Sequence, residues 1–326
     1  MRSIDTREIM RQEMTIRPDI FSEIKQYIDI FHIEPVRKGY SEDMKYLLTA
    51  KSGERFLLRI TESDNTQILA GRKEMYSLMD TLAKYSSLVP RSRACWISHN
   101  AYSCIMIHEY IEGDDGEESL HRYSQETQYE IGYRAGIELK KLHQLAAPAT
   151  LSSWYTRKKQ KHERYCDACN REHLAPEELD LEPIHRYIAD NIHLMKNVSQ
   201  TFQHDDYHPA NLIINNGQLT GIIDFNRYDW GDPIHDFYKL AFFSREISIP
   251  FSRGQIDGYF MGNVPSDFWK RYALYNAMSI VPSIVWFSRM ASRKEFRDEL
   301  KRAITLIRTL IDDHKGFTSA IPQWYQ

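Results

Sequence analysis

The chain has 326 residues, of which 42% are hydrophobic and 27% charged, with a net charge of −3. This is an ordinary globular composition, long enough for two lobes with sizeable cores. It carries no overall basic footprint for nucleic acid and no run of eighteen apolar residues to span a membrane. The first residues, Met1–Asp5, lack the apolar segment of a signal peptide, and four cysteines are too few for a disulfide framework. The expectation is a cytoplasmic protein with reduced thiols, partnered by neither nucleic acid nor membrane.

In chain order, Asp19–Ile30 reads as an amphipathic helix, with Ile20, Phe21, Ile24, Tyr27 and Ile28 on a helical period. Strands are predicted over Ile33–Lys38, Met44–Ala50 and Arg55–Ile60, the last two joined by a Gly53 turn. A helix over Asn65–Tyr85 follows, then strands over Ala94–Ser98 and Tyr102–Ile111. After Ile111 the pattern turns helical. Gln125–Leu145 places Ile131, Ala135, Leu139 and Leu142 on one face. Trp154–Cys169 and Ile184–Met195 also read as helices. Leu212–Asn215 and Gln218–Asp224 form a hairpin around Asn216-Gly217, and helices dominate Asp232–Asp313. The chain therefore divides into residues 1–111, α+β with five strands, and 112–326, mainly helical, with a hinge at Glu109–Gly116.

The stretch His204-Asp205-Asp206-Tyr207-His208-Pro209-Ala210-Asn211, followed by Ile223-Asp224-Phe225, carries the chemistry. An Asp, an Asn five residues later and a second Asp closing the next apolar run are what phosphoryl transfer needs. One carboxylate orients and deprotonates an acceptor hydroxyl, and an amide and a carboxylate hold Mg²⁺ on the phosphates. Each residue alone would pass as a turn or cap residue; their joint spacing argues for Asp206 as catalytic base and Asn211 and Asp224 as metal ligands.

With Gly231-Asp232-Pro233 downstream and Gly39-Tyr40-Ser41 at the first hairpin, the chain resembles the aminoglycoside phosphotransferase and choline kinase group of small-molecule kinases. The resemblance implies an α+β, two-lobed protein-kinase-like fold, with a small five-stranded antiparallel N-lobe and a larger mainly helical C-lobe. It implies ATP or GTP as co-substrate between the lobes, its base against Glu109–Ile111 and its phosphates near Gly39, Ser41 and Arg59. Glu74 would be the helix partner of Arg59, and His204 a scaffold residue. Asp205 stands where that group carries Gly, and pointing inward it would raise the pKa of Asp206. The acceptor implied is a small molecule with a hydroxyl group, aminoglycoside-like or otherwise amine-bearing, with antibiotic resistance as the setting. A metabolite kinase for choline, a sugar or an amino-alcohol is the alternative, and a non-catalytic nucleotide-binding regulator is a third.

Two further clusters stand out. Glu109, Glu112, Asp114, Asp115, Glu117 and Glu118 form either a solvated hinge or a negative mouth for a cationic acceptor. His162, Cys166, Cys169 and His173 suggest zinc, but spacings of 4, 3 and 4 place all four along one helix face, where they cannot surround an ion.

Overall fold

The computed structural model describes residues 16–37, 43–100, 102–291 and 297–326. Gly39 and Ser41 lie outside these residues. The chain forms two compact units: Met1–Glu112 with Thr220–Asn226, and Gly113–Leu219 with Arg227–Gln326.

The first unit is built on α1 (Pro18–Ile24), β1 (Ile30–Pro35), β2 (Met44–Ala50), β3 (Arg55–Glu62), α2 (Thr66–Leu82), β4 (Ser92–Ile97) and β5 (Ser103–Glu109). The five strands make one antiparallel sheet in the order β1-β2-β3-β5-β4. The apolar run Cys104-Ile105-Met106-Ile107 of β5 is buried throughout, as a continuous run bounded by turns foretells. Ile20, Ile24, Leu48, Leu58, Ile105 and Ile107 share one core, where each Leu or Ile contributes about 1.5–3 kcal/mol through burial. Asn65 caps α2 by accepting from the Gln67 N–H at 2.9 Å.

The first helix is shorter than its periodicity implied. Ile20, Phe21, Ile24 and Ile28 are buried as expected, but Ile30 already pairs with Ala50, and Lys51 N–H bonds to Asp29 O at 2.8 Å. Sheet pairing claims the last residues of the predicted helix. Tyr27 is left outside and stacks on Trp96, with ring centroids 4.6 Å apart.

The segment Thr220–Asn226 belongs to the first unit although it follows more than a hundred residues of the second, so the units are not two contiguous stretches. It is anchored by Ile222 N–H to Leu88 O at 2.8 Å. Gly221 lies flat on Ile111, where a Cβ would sit 2.6 Å from the Ile111 Cδ1.

The second unit contains α3 (Gly116–Ser119), α4 (Gln125–Leu142), α5 (Trp154–Arg171), α6 (Glu182–Asn191), α7 (Ile249–Phe260), α8 (Ser266–Ala291) and α9 (Arg297–Asp313). Short strands β6 (Asp114–Asp115), β7 (Thr201–Gln203), β8 (Leu212–Asn215), β9 (Gln218–Ile222) and β10 (Asp229–Gly231) frame the loops between them, β9 running on into the first unit from Thr220. β6 pairs with β8, and β7 with β10. Asn216 and Gly217 both adopt positive φ, the conformation an Asn-Gly hairpin turn requires. Helices α4 and α7 pack closely together. Gly132 and Gly136 meet the backbone of α7, and Gly254 and Gly258 meet that of α4, so a side chain at any of the four would collide with a main-chain atom. Trp269 and Tyr272 of α8 are core residues, whereas Trp286 is exposed.

Candidate active site

In the second unit the loop after β7 is pinned by a residue thirty positions downstream. Asp236 is fully buried. Its carboxylate accepts from the backbone N–H of His204 at 2.8 Å and of Asp205 at 2.7 Å, and from the His143 ring at 3.0 Å. His204 is itself buried and packs edge-on against Tyr207, whose hydroxyl bonds to Ala135 O at 2.8 Å. Asp232, at the start of the same turn, accepts from Arg271 and Tyr275. The sequence motif Gly231-Asp232-Pro233 thus ties the turn that carries Asp236 to α8, and Asp236 itself holds the acidic loop.

The loop presents Asp206. Its Oδ1 lies 2.7 Å from Lys239 Nζ and 3.5 Å from His208 Nε2, and its Oδ2 lies 3.8 Å from Arg227 Nε. Burial opposes ionisation, but His208 and Lys239 more than offset it and hold the carboxyl well below its usual range. Asn211 is buried and donates its amide N–H to Asp206 O at 2.8 Å, which leaves Oδ1 as the atom suited to a hard cation.

Asp205 adopts φ +57°. Gly takes this left-handed conformation without steric cost, and here an Asp adopts it. Its carboxylate points inward, 3.2 Å from His235 Nδ1. His235 Nε2 in turn lies 2.6 Å from Lys158 Nζ. Lys158 donates to Nε2, so the ring proton sits on Nδ1, which faces Asp205. Burial works against the Asp205 charge, yet His235, Lys161 and Lys239 hold its pKa low. The pKa of Asp206 is thus lowered rather than raised beside Asp205, and both remain anions because they share nearby cations, Lys239 among them. Lys158 also lines a recess of about 230 Å³ with Arg157, Lys161, Arg164, Trp154 and Asp229, a basic wall that sequence reading did not find.

In the first unit the charged groups stand on one face of the β2–β3 ladder. Lys45 is paired opposite Arg59, and alternation puts Asp43 and Thr61 on the same face. Asp43 and Arg59 are buried. Arg59 Nη2 lies 2.6 Å from Asp43 Oδ2, and Thr61 donates to Oδ1 at 2.8 Å. Arg72 of α2 approaches Asp43 at 3.6 Å and also donates to Asn226, which donates to Asp224. Glu74 is exposed, and the ion-pair partner of Arg59 is Asp43 instead. The reason is register: Asp43 immediately precedes β2, level with Thr61, one side chain from Arg59. Asp224 has φ +62°, and its charge acts on both Lys45 and Arg59.

Glu109 ends β5 exposed. Its N–H bonds to Arg91 O at 3.0 Å, and its carbonyl accepts from the His108 ring at 2.9 Å. Ile111 follows, half-buried. The acidic hinge is largely occupied by structural tasks. Glu112 pairs with Arg55, Asp114 with Arg122, and Asp115 caps α3.

The family model described as the phosphotransferase enzyme family matches residues 32–275. The chain belongs to the phosphotransferase enzyme family. No curated protein matches it. Among solved structures, the phosphotransferase is similar to a streptomycin–ATP–APH(2")-IIa ternary complex, at 20% identity and TM-score 0.62, covering 90% of this chain and 98% of that one. It is similar to a GDP complex of aminoglycoside 2'-phosphotransferase-IIIa, at 14% identity and TM-score 0.65, covering 94% and 99%. It is also similar to macrolide 2'-phosphotransferase MphH from Brachybacterium faecium, at 13% identity and TM-score 0.60, covering 89% and 98%. The phosphotransferase has the fold expected from its sequence, a five-stranded antiparallel sheet followed by a mainly helical remainder on the kinase-like plan.

Proposed function

We propose that this phosphotransferase moves the γ-phosphate of ATP or GTP to a hydroxyl group of a small molecule. The observation that carries the proposal is the Asp206 carboxylate, kept ionised on a clamped loop with Lys239 at 2.7 Å. In this reading Asp206 orients the acceptor hydroxyl and takes its proton late in a loose transition state. Lys239, donating to the same carboxylate, faces negative charge as it builds up.

Asn211 and Asp224 supply hard oxygens that fit Mg²⁺: the Asn211 amide nitrogen is already committed to the loop, and Asp224 accepts from Asn226 through one oxygen only. Mg²⁺, when bound, neutralises phosphate charge. Arg59 and Lys45 offer the cationic face for the nucleotide phosphates. Arg59 reaches that face already paired with Asp43, so its charge is shared rather than exposed. Gly39 and Ser41 are proposed as phosphate-facing loop residues, Glu109 and Ile111 as backbone contacts for the base, and Glu74 as an exposed charge on the adjoining helix. A cytoplasmic setting suits both co-substrates.

For the acceptor, an aminoglycoside-like or other amine-bearing molecule is supported by ligands named with the similar structures, among them streptomycin, gentamicin and kanamycin. A second reading, a hydroxylated acceptor with an anionic group, is favoured by one observation: the recess linked through Lys158 and His235 to Asp205 is lined by Arg157, Lys161 and Arg164.

The test is phosphoryl transfer from radiolabelled ATP and GTP to a panel of aminoglycosides, macrolides, choline, sugars and sugar acids. Transfer to amine-bearing members alone supports the first acceptor class, and transfer to acids alone the second. Absence of transfer, together with nucleotide binding that ignores Mg²⁺, would leave a nucleotide-binding regulator.

A further inference from the structure

His162 and Cys166 lie one turn apart on α5, and the structure brings His185 of α6 to them. Their three ligand atoms lie within 4.8 Å of one another, and His162 Nε2 is 3.5 Å from Cys166 Sγ. Zinc with Zn–N of about 2.0–2.1 Å and Zn–S of about 2.3 Å in tetrahedral geometry separates its N and S ligands by about 3.6 Å and two N ligands by about 3.3–3.4 Å. One pair is therefore already at the spacing of a metal site. Rotations moving a ligand atom by on the order of 1 Å bring the third into it.

We infer that His162, Cys166 and His185 form a binding site for a single thiophilic divalent ion of the zinc class, tying α5 to α6. The donor set decides the class. Two imidazoles and one thiolate suit zinc, whereas magnesium and calcium take oxygen. The site is thus chemically separate from the oxygen ligands Asn211 and Asp224, and it stands whether or not the proposed reaction is correct.

The helix-only argument against zinc fails here because the third ligand comes from a second helix. Both α5 and α6 pack on α8, which fixes their spacing before any metal arrives. Cys169 and His173, the other members of the sequence cluster, do not join. Cys169 is buried apart from the three, and His173 lies exposed beyond the helix end with φ +53°. His162 is buried. Cys166 and His185 are half-exposed, which gives an ion a way in and leaves the fourth position to water. On binding, the Cys166 thiol loses its proton to solvent and the thiolate sulfur donates to the metal.

The test is a Co²⁺ titration of the reduced full-length chain after chelator treatment, read by absorbance. The expected result is one equivalent bound, with a thiolate-to-cobalt charge-transfer band that Zn²⁺ bleaches. The band should be lost in Cys166→Ser and kept in Cys169→Ser. His185→Ala should weaken Zn²⁺ by at least about 10–100-fold, since changing even an outer-shell partner costs that much. No thiolate band in the wild-type chain overturns the proposal, and so does a band that survives Cys166→Ser. The wild-type titration decides the matter without any variant having to fold.

Discussion

In the first unit the charged groups stand on the face of a sheet; in the second they hang from a loop. Asp43, Lys45, Arg59 and Thr61 share a face because strand alternation and the β2–β3 register put them there. Asp205 and Asp206 are placed by contacts with Asp236, His235 and Lys239, all far along the chain, and Asn211 by its bond to Asp206 O. The sheet cluster is thus positioned by regular backbone bonds, and the loop cluster by a few buried side chains. Loss of one partner should be graded in the first unit and abrupt in the second.

The largest effect belongs to the loop. Asp206→Ala should lower turnover by about 10²–10⁴-fold, the range for a general base, while nucleotide binding stays near wild type. Steady-state rates and calorimetry on the same samples check both halves, and unchanged turnover would remove Asp206 from the role.

Asp236→Ala should come next. It strips two backbone N–H groups and His143 of a buried acceptor, at a cost of about 3–5 kcal/mol in stability. Denaturant unfolding measures it; a loss under about 1 kcal/mol would mean that the loop holds its shape unaided.

Asp224→Asn probes the first unit. Nucleotide affinity in Mg²⁺ should fall by about 10–100-fold, the scale of lesions at metal sites, while affinity in EDTA stays level or improves as a negative charge leaves. Equal behaviour of both proteins in both buffers would contradict the metal role.

A smaller effect is pH-dependent. Burial, reinforced by the nearby charge of Lys161, pushes Lys158 down to about 7. An unfolded lysine titrates near 10.4. Between those values the unfolded chain holds a proton that the native chain lacks, so stability rises with pH from about 7 to about 10. Lys158→Met should flatten that rise and raise the melting temperature at neutral pH. A melting curve series over pH reads the slope, and an unaltered slope would place the titration elsewhere.

The smallest changes should come from the hinge. Glu112→Gln and Asp114→Asn break exposed ion pairs with Arg55 and Arg122, each contributing about 0–1 kcal/mol. If either raises the KM for a cationic acceptor several-fold, a steering role for the acids is restored.

The sequence by itself determined the five strands, the long helix before the fourth and the Asn-Gly hairpin, because each rests on local periodicity or turn chemistry; it also proposed Asp206, Asn211 and Asp224 as a set from their short spacing. Lys45 was within reach of the same reasoning, since the Gly53 turn fixes the register that pairs it with Arg59. Tertiary structure decided the rest. It ended the first helix early, because the chain must turn before Asp29 and Ile30, which bond to the β2 end. It gave Arg59 to Asp43 rather than Glu74, because the carboxylate beside β2 was already on the right face. It supplied Asp236, Lys239 and the His235–Lys158 pair to the acidic loop, and His185 to His162 and Cys166. Such partners are chosen by proximity in three dimensions and by the cost of leaving a buried charge alone, and neither leaves a periodic mark in the chain.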